Sequence, residues 1–118
     1  MPIAKLEIGP SPAQALTDLK AASSSAPAIA FKFSPICPVS TRAEREVQQW
    51  VEALKESAIR MVTIDVIAER ELARGLTAEI GIQHESPQLL WYEGGELVWH
   101  GSHADITEDK LNDLLGAI

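Results

Sequence analysis

Two runs, "QLLWYE" (Gln88–Glu93) and "ELVWHG" (Glu96–Gly101), stand on either side of Gly94–Gly95. Both are rich in aromatic and aliphatic residues. Two glycines between such runs are the signature of an antiparallel hairpin closed by a two-residue turn. No other stretch restricts the fold as much, because the hairpin fixes two adjacent strands of whatever sheet the rest of the chain builds. Upstream, strands and helices alternate. "AIAFKF" (Ala28–Phe33) reads as a buried strand and "RMVTIDV" (Arg60–Val66) as a second, β-branched one. Between them, from Pro38 to about Ser57, Val47, Trp50, Val51 and Leu54 recur at helical spacing. Two strands joined by a helix make a parallel βαβ unit with a right-handed crossover. The hairpin adds antiparallel strands to the same sheet.

The remaining segments supply further helices. Ser11 and Pro12 open an early one as N-cap and first helical residue, Ala15, Leu16 and Leu19 give its apolar stripe, and Ser23–Pro27 end it as a loop. "AERELARGLTAEIGI" (68–82) predicts another helix with a break near Gly75. "DITEDKLNDLLGAI" (105–118) predicts a closing helix capped by Asp105 or Thr107, with acidic residues in its first turn where the helix dipole favours them. The expected fold is α/β, a mixed four-stranded sheet flanked by helices with an N-terminal helix, and residues 1–118 form one domain.

Composition narrows the function. A formal net charge of −7 argues against sequence-blind nucleic-acid binding, which needs clustered Lys and Arg. No apolar run approaches the ~20 residues that span a bilayer. The N-terminus shows no apolar signal segment, and a single cysteine forms no internal disulfide, which together predict a reducing, cytoplasmic location.

That cysteine, Cys37, lies in "FSPICPVS" (33–40), at the junction between the first predicted strand and the helix after it. Pro38 suits the first helical position, since the amide hydrogen it lacks would have no partner there. The amides of residues 39 and 40 are free to point at the sulfur. With the helix dipole they favour thiolate over thiol. Position alone leaves two readings open: a reactive nucleophile, or an inert buried cysteine.

Residues 80–101, "IGIQHESPQLLWYEGGELVWHG", resemble the second half of a thioredoxin fold, and the order of the flanking segments agrees. The resemblance implies that Pro87, about fifty residues after Cys37, is preceded by a cis peptide bond. It also implies that Ser86 lies beside the cysteine, with backbone groups free to pair with an extended substrate segment. A narrower resemblance rests on two segments. Lys32, Ser34, Cys37, Pro38 and Ser40 match one, and Trp99, His100, Ser102, His103, Asp105, Ile106 and Thr107 match the other. Both are similar to the monothiol bacilliredoxins, the YtxJ-like proteins of the bacillithiol system. Phe33 and Pro35 stand where that family more usually has His and Thr. The resemblance implies an oxidoreductase that removes bacillithiol from mixed disulfides on client proteins. Cys37 would be the nucleophile, Pro38, Ser40, Ser86 and Pro87 would contact substrate, bacillithiol would be a co-substrate rather than a bound cofactor, and the chain would act as a monomer. Ser40 holds the place of a resolving cysteine. It either donates a hydrogen bond to the thiolate or caps the helix.

Other residues are read more plainly. Lys32 faces the opposite side of its strand from Phe31 and Phe33. It is expected to lay its stem on the sheet with the ammonium at the surface; the alternative is that it raises the positive potential near the sulfur. Arg42 is expected to be solvated; its alternative partner is a carboxylate of bacillithiol. His84 is placed near the active-site rim, and His100 and His103 at the turn into the last helix. None has metal-ligand spacing with Cys37. Trp50, Trp91 and Trp99 are expected to be core or half-buried. Two other functions compete: a monothiol-glutaredoxin-like carrier of an iron–sulfur cluster, which Pro38 disfavours, and a redox-inert interaction domain.

Overall fold

The computed structural model describes residues 4–54 and 59–116. In chain order these form β1 (Ala4–Lys5), α1 (Pro12–Ala22), β2 (Ala28–Phe33), α2 (Pro38–Ala53), β3 (Arg60–Asp65), α3 (Arg70–Ala78), β4 (Gln88–Glu93), β5 (Glu96–Ser102), a 3-10 turn (His103–Asp105) and α4 (Glu108–Gly116). The sheet order is β1-β3-β2-β4-β5. β2 and β3 are parallel, and β4 runs antiparallel to both β2 and β5, so the expected mixed four-stranded core is present. β1 adds two residues in parallel to the outer side of β3, a strand too short to show any alternation in the sequence.

Each face of the sheet is covered by two helices. Ile29, Phe31, Leu89 and Trp91 pack with Val47 and Trp50 of α2 and Leu111 of α4. Ala28, Ala30, Leu90 and Tyr92 pack on the other face with Leu19 of α1 and Leu72 and Leu76 of α3. The central strands β2 and β4 are therefore apolar on both faces, which is why they read as continuous runs rather than alternating ones. Trp50 and Trp91 are both fully buried, with ring centroids 5.7 Å apart, and Trp99 is half-buried.

Local chemistry sets the element ends. Ser11 Oγ accepts the amide of Gln14 and caps α1. Thr107, rather than Asp105, caps α4, accepting the amide of Lys110 at 3.1 Å. Asp65 Oδ1 accepts the amides of Ile67 and Ala68, which turns the chain out of β3 one residue before the expected end at Val66. The hairpin turn has φ of 60° at Gly94 and 81° at Gly95, a conformation that suits glycine at both positions. The turn is clasped from α1's end: Ser23 accepts the Gly94 amide on its carbonyl and the Gly95 amide on Oγ. Between Trp91 and Tyr92 the β4–β5 register shifts, so Trp99 pairs with Trp91 and Leu97 with Tyr92. This irregularity lets Trp99 and Leu97, two residues apart, serve opposite cores.

The helices also differ from their expected spans. α2 ends at Ala53, and residues 55–57 of its expected span lie outside the described residues, as do 117–118 of the last helix. α3 is continuous through Gly75, where a break was expected. Gly75 is a contact glycine instead: a Cβ there would overlap the ring of Pro12 at the start of α1.

Candidate active site

β2 ends at Phe33, and Ser34–Ile36 carry the chain over the end of the sheet to Cys37, the N-cap of α2. The Cys37 amide donates to Ser34 O at 3.4 Å, and the Cys37 carbonyl accepts the Thr41 amide at 3.1 Å, the first helical bond. Pro38 occupies the first turn without leaving an amide unpaired. The thiol makes no tight capping hydrogen bond. The amides of Ser40 and Val39 nevertheless face the sulfur and hold its pKa below the ordinary thiol value, with the Ser40 side chain adding to the effect and partial burial opposing it. Amides at a helix start, together with the helix dipole, favour the sulfur's anion over its thiol.

Ser40 is buried, and its Oγ accepts the Ser34 amide at 3.0 Å. That bond uses a lone pair and leaves the hydroxyl hydrogen for the sulfur. Ser40 thus braces the loop and favours the thiolate together. Around the thiol the surface is apolar: Ile36 is 80% exposed and Val39 45%.

β4 begins at the same end of the sheet. Its first residue, Gln88, pairs with Lys32, so the loop 83–87 before it approaches from the side on which β2 hands over to Cys37. The Ser86–Pro87 peptide bond is cis. Pro87 O accepts the His103 amide at 3.1 Å, and His103 Nε2 lies 3.5 Å from Glu85 Oε2. Cys37, Pro38 and Ser40 therefore surround the start of α2, while Ser86 and Pro87 form the lip of β4 at the same end.

Lys32 corrects the sequence reading. It does face away from Phe31 and Phe33, but its side chain is fully buried under α3 rather than reaching the surface. Nζ donates to Ala73 O at 2.9 Å and lies 3.4 Å from Thr77 Oγ1 and 2.8 Å from His84 Nδ1. Ala73 and Thr77 are small enough to admit the ammonium, and α3 offers it a carbonyl. Burial, reinforced by Arg74 and opposed by Glu85, brings the Lys32 pKa down to about 8. An ammonium has only donors, so His84 accepts at Nδ1 and carries its hydrogen on Nε2. Fifty-two residues separate the two, and no local pattern announces the pair.

A groove of about 420 Å³ runs beside Cys37 between α2 and the 3-10 turn, lined by Pro38, Val39, Arg42, His103, Ile106 and Thr107 among others. It brings the two similar sequence segments, around 37 and 103, to one surface. Arg42 and His103 give this mainly apolar groove two basic side chains. A larger hollow, about 560 Å³, lies between residues 8–10 and the start of α3 and shares no residue with the groove. His100 is exposed on β5.

Known structures resemble this arrangement over nearly the whole chain. A candidate oxidoreductase with a thioredoxin fold superposes with a TM-score of 0.71 at 23% identity, covering 95% of this chain and 92% of that one. Thioredoxin from Fasciola hepatica gives 0.67 at 16% identity, with 98% of each chain covered. A mutant thioredoxin from Halobacterium salinarum gives 0.66 at 23% identity over 98% and 91%. At these identities the likeness establishes the thioredoxin fold. The sequence profile described as monothiol bacilliredoxin BrxC matches residues 11–111, from the cap of α1 into α4. The chain therefore belongs to the monothiol bacilliredoxin family.

Proposed function

We propose that this protein is a thiol–disulfide oxidoreductase that removes bacillithiol from mixed disulfides on client proteins, with Cys37 as its nucleophile. Family and fold support the thiol oxidoreductase role. One observation carries the finer reading: a partly exposed thiol, held toward its anion by helix-start amides, has a serine where a second thiol would stand.

The reaction balances without an outside oxidant. Cys37 thiolate attacks the bacillithiol sulfur of the client's mixed disulfide. The client–bacillithiol S–S bond breaks, the client cysteine leaves as thiolate and takes a proton from solvent, and a Cys37–bacillithiol disulfide forms. Ser40 supplies no second thiol, so the adduct has no exit within the chain. A free low-molecular-weight thiol must attack it, releasing a small disulfide and returning Cys37 to thiolate. The groove beside α2 suits the small-thiol half of the substrate, with Arg42 and His103 available to its carboxylates. Exposed Ile36 and Val39 offer apolar contact to the client half.

Intact-mass analysis after mixing with a bacillithiolated protein tests this. Wild type should gain one bacillithiol as the client loses it, Cys37→Ser should gain none, and Ser40→Cys should hold the adduct for a shorter time. A wild-type chain that gains no mass while the client keeps its modification would overturn the reading.

A further inference from the structure

Two buried polar side chains interrupt the apolar wall between the sheet and α3, and they stand directly opposite each other. Lys32 on β2 pairs with Gln88 on β4, at 0% and 2% exposure. Opposed residues of an antiparallel pair share a face. Beyond α3, the side-chain hydrogen bonds of both go to one loop. Lys32 Nζ reaches His84 Nδ1 at 2.8 Å. Gln88 donates to Gln83 O at 3.1 Å and accepts the Glu85 amide at 3.2 Å. Three consecutive residues, 83–85, are thus held from inside the sheet immediately before Ser86 and Pro87. Five residues past Lys32, the same strand delivers Cys37.

We propose that Lys32 and Gln88 are positioning residues that fix loop 83–87 against the Cys37 loop, so that a client disulfide meets the thiolate in line, and that neutral His84 is the joint through which the loop is released. The proposal rests on the mixed-disulfide reading above. In-line exchange is sensitive to small displacements, and the paired strands that carry Lys32 and Gln88 are the ones that lead into the Cys37 loop and out of loop 83–87. The joint holds only while His84 can accept. Protonation would set two cations 2.8 Å apart. Arg74 on α3 adds to that repulsion, while Glu85 on the loop and the Ala73 carbonyl oppose it. Burial, with Lys32 and Arg74, keeps the imidazole below its ordinary value of 6.5, so the loop stays fixed at neutral pH.

The test compares two rates at Cys37: bacillithiol transfer from a modified client, and alkylation by iodoacetamide. Their ratio cancels the thiolate fraction. In wild type the ratio should be level near neutrality and fall as pH drops below 6.5. His84→Asn keeps an acceptor near Nδ1 and does not titrate, so it should retain the neutral ratio and lose the acid fall. Lys32→Met should lower the neutral ratio by roughly 10- to 100-fold, with alkylation and circular dichroism unchanged. A Lys32→Met ratio equal to wild type, or an acid fall that survives in His84→Asn, overturns the proposal. If wild type transfers nothing, the mixed-disulfide reading is what has failed. The clamp is then read from hydrogen exchange at the Glu85 amide, which Lys32→Met and Gln88→Leu should both accelerate, and unchanged exchange in both would overturn it.

Discussion

A lysine amid apolar strand neighbours carries a measurable cost. Lys32 is charged in solution up to its usual pKa of 10.5, and in the fold its pKa is about 8, chiefly through burial. Between those values the unfolded chain binds more protons than the folded one, so stability rises as pH increases from about 8 to 10.5 and is lower by the full amount below 8. At ~1.4 kcal/mol per unit the gain is no more than about 3–4 kcal/mol, less whatever water screens the ammonium past half-buried His84. Urea unfolding below pH 8 and near 10.5 should show this rise in wild type and a flatter profile in Lys32→Met; parallel profiles would mean that the ammonium is solvated. Cys37 is the opposite case. Its anion is favoured by amides that the helix start leaves free, and no buried cation is needed.

Between elements, the contact of α1 with α3 turns on one missing side chain. Gly75 lies inside α3, where alanine would ordinarily stabilise a helix by about 1 kcal/mol. Here the added carbon would overlap Pro12, and overpacking of this kind costs about 1–3 kcal/mol. Gly75→Ala should therefore lower the melting temperature, and Pro12→Ala made in the same chain should recover part of the loss, because it removes Cγ, the ring atom nearest the new carbon, while keeping Cβ. A four-protein cycle by thermal unfolding checks it; additive effects would show that the two residues do not meet. The same glycine explains why a helix break is the natural reading of the sequence. Glycine within a helical pattern looks identical whether it ends the helix or admits a neighbour, and the neighbour lies far off in the chain.

Across the molecule, the pieces that were legible are those whose cause is local. The Gly94–Gly95 turn, the separate strands and helix of the βαβ unit, the Ser11 cap and the thiolate-favouring start of α2 all show themselves in residues a few positions apart. Lys32 with His84, Gly75 with Pro12, and Ser23 with Gly95 depend on the finished fold to bring distant segments together, and β1 exists only because β3 is there to pair with it. The Ser23 clasp gives a global check on that assembly. Its Oγ donates to Lys20 O at 2.8 Å while accepting the Gly95 amide at 2.9 Å, so α1 and the hairpin share one hydroxyl. Ser23→Ala should cost about 1 kcal/mol and speed exchange at the Gly95 amide more than at Gly94, whose partner is a main-chain carbonyl. Equal protection of Gly95 in both proteins would mean that the clasp is not made in solution. The serine at position 40 reaches further still. On the proposed reaction, a chain with one thiol is a register of a single bit, loaded or empty, that cannot clear itself. Its throughput is then limited by the supply of free thiol, and the fraction loaded at any moment gauges the balance between modified clients and the thiol pool that empties it.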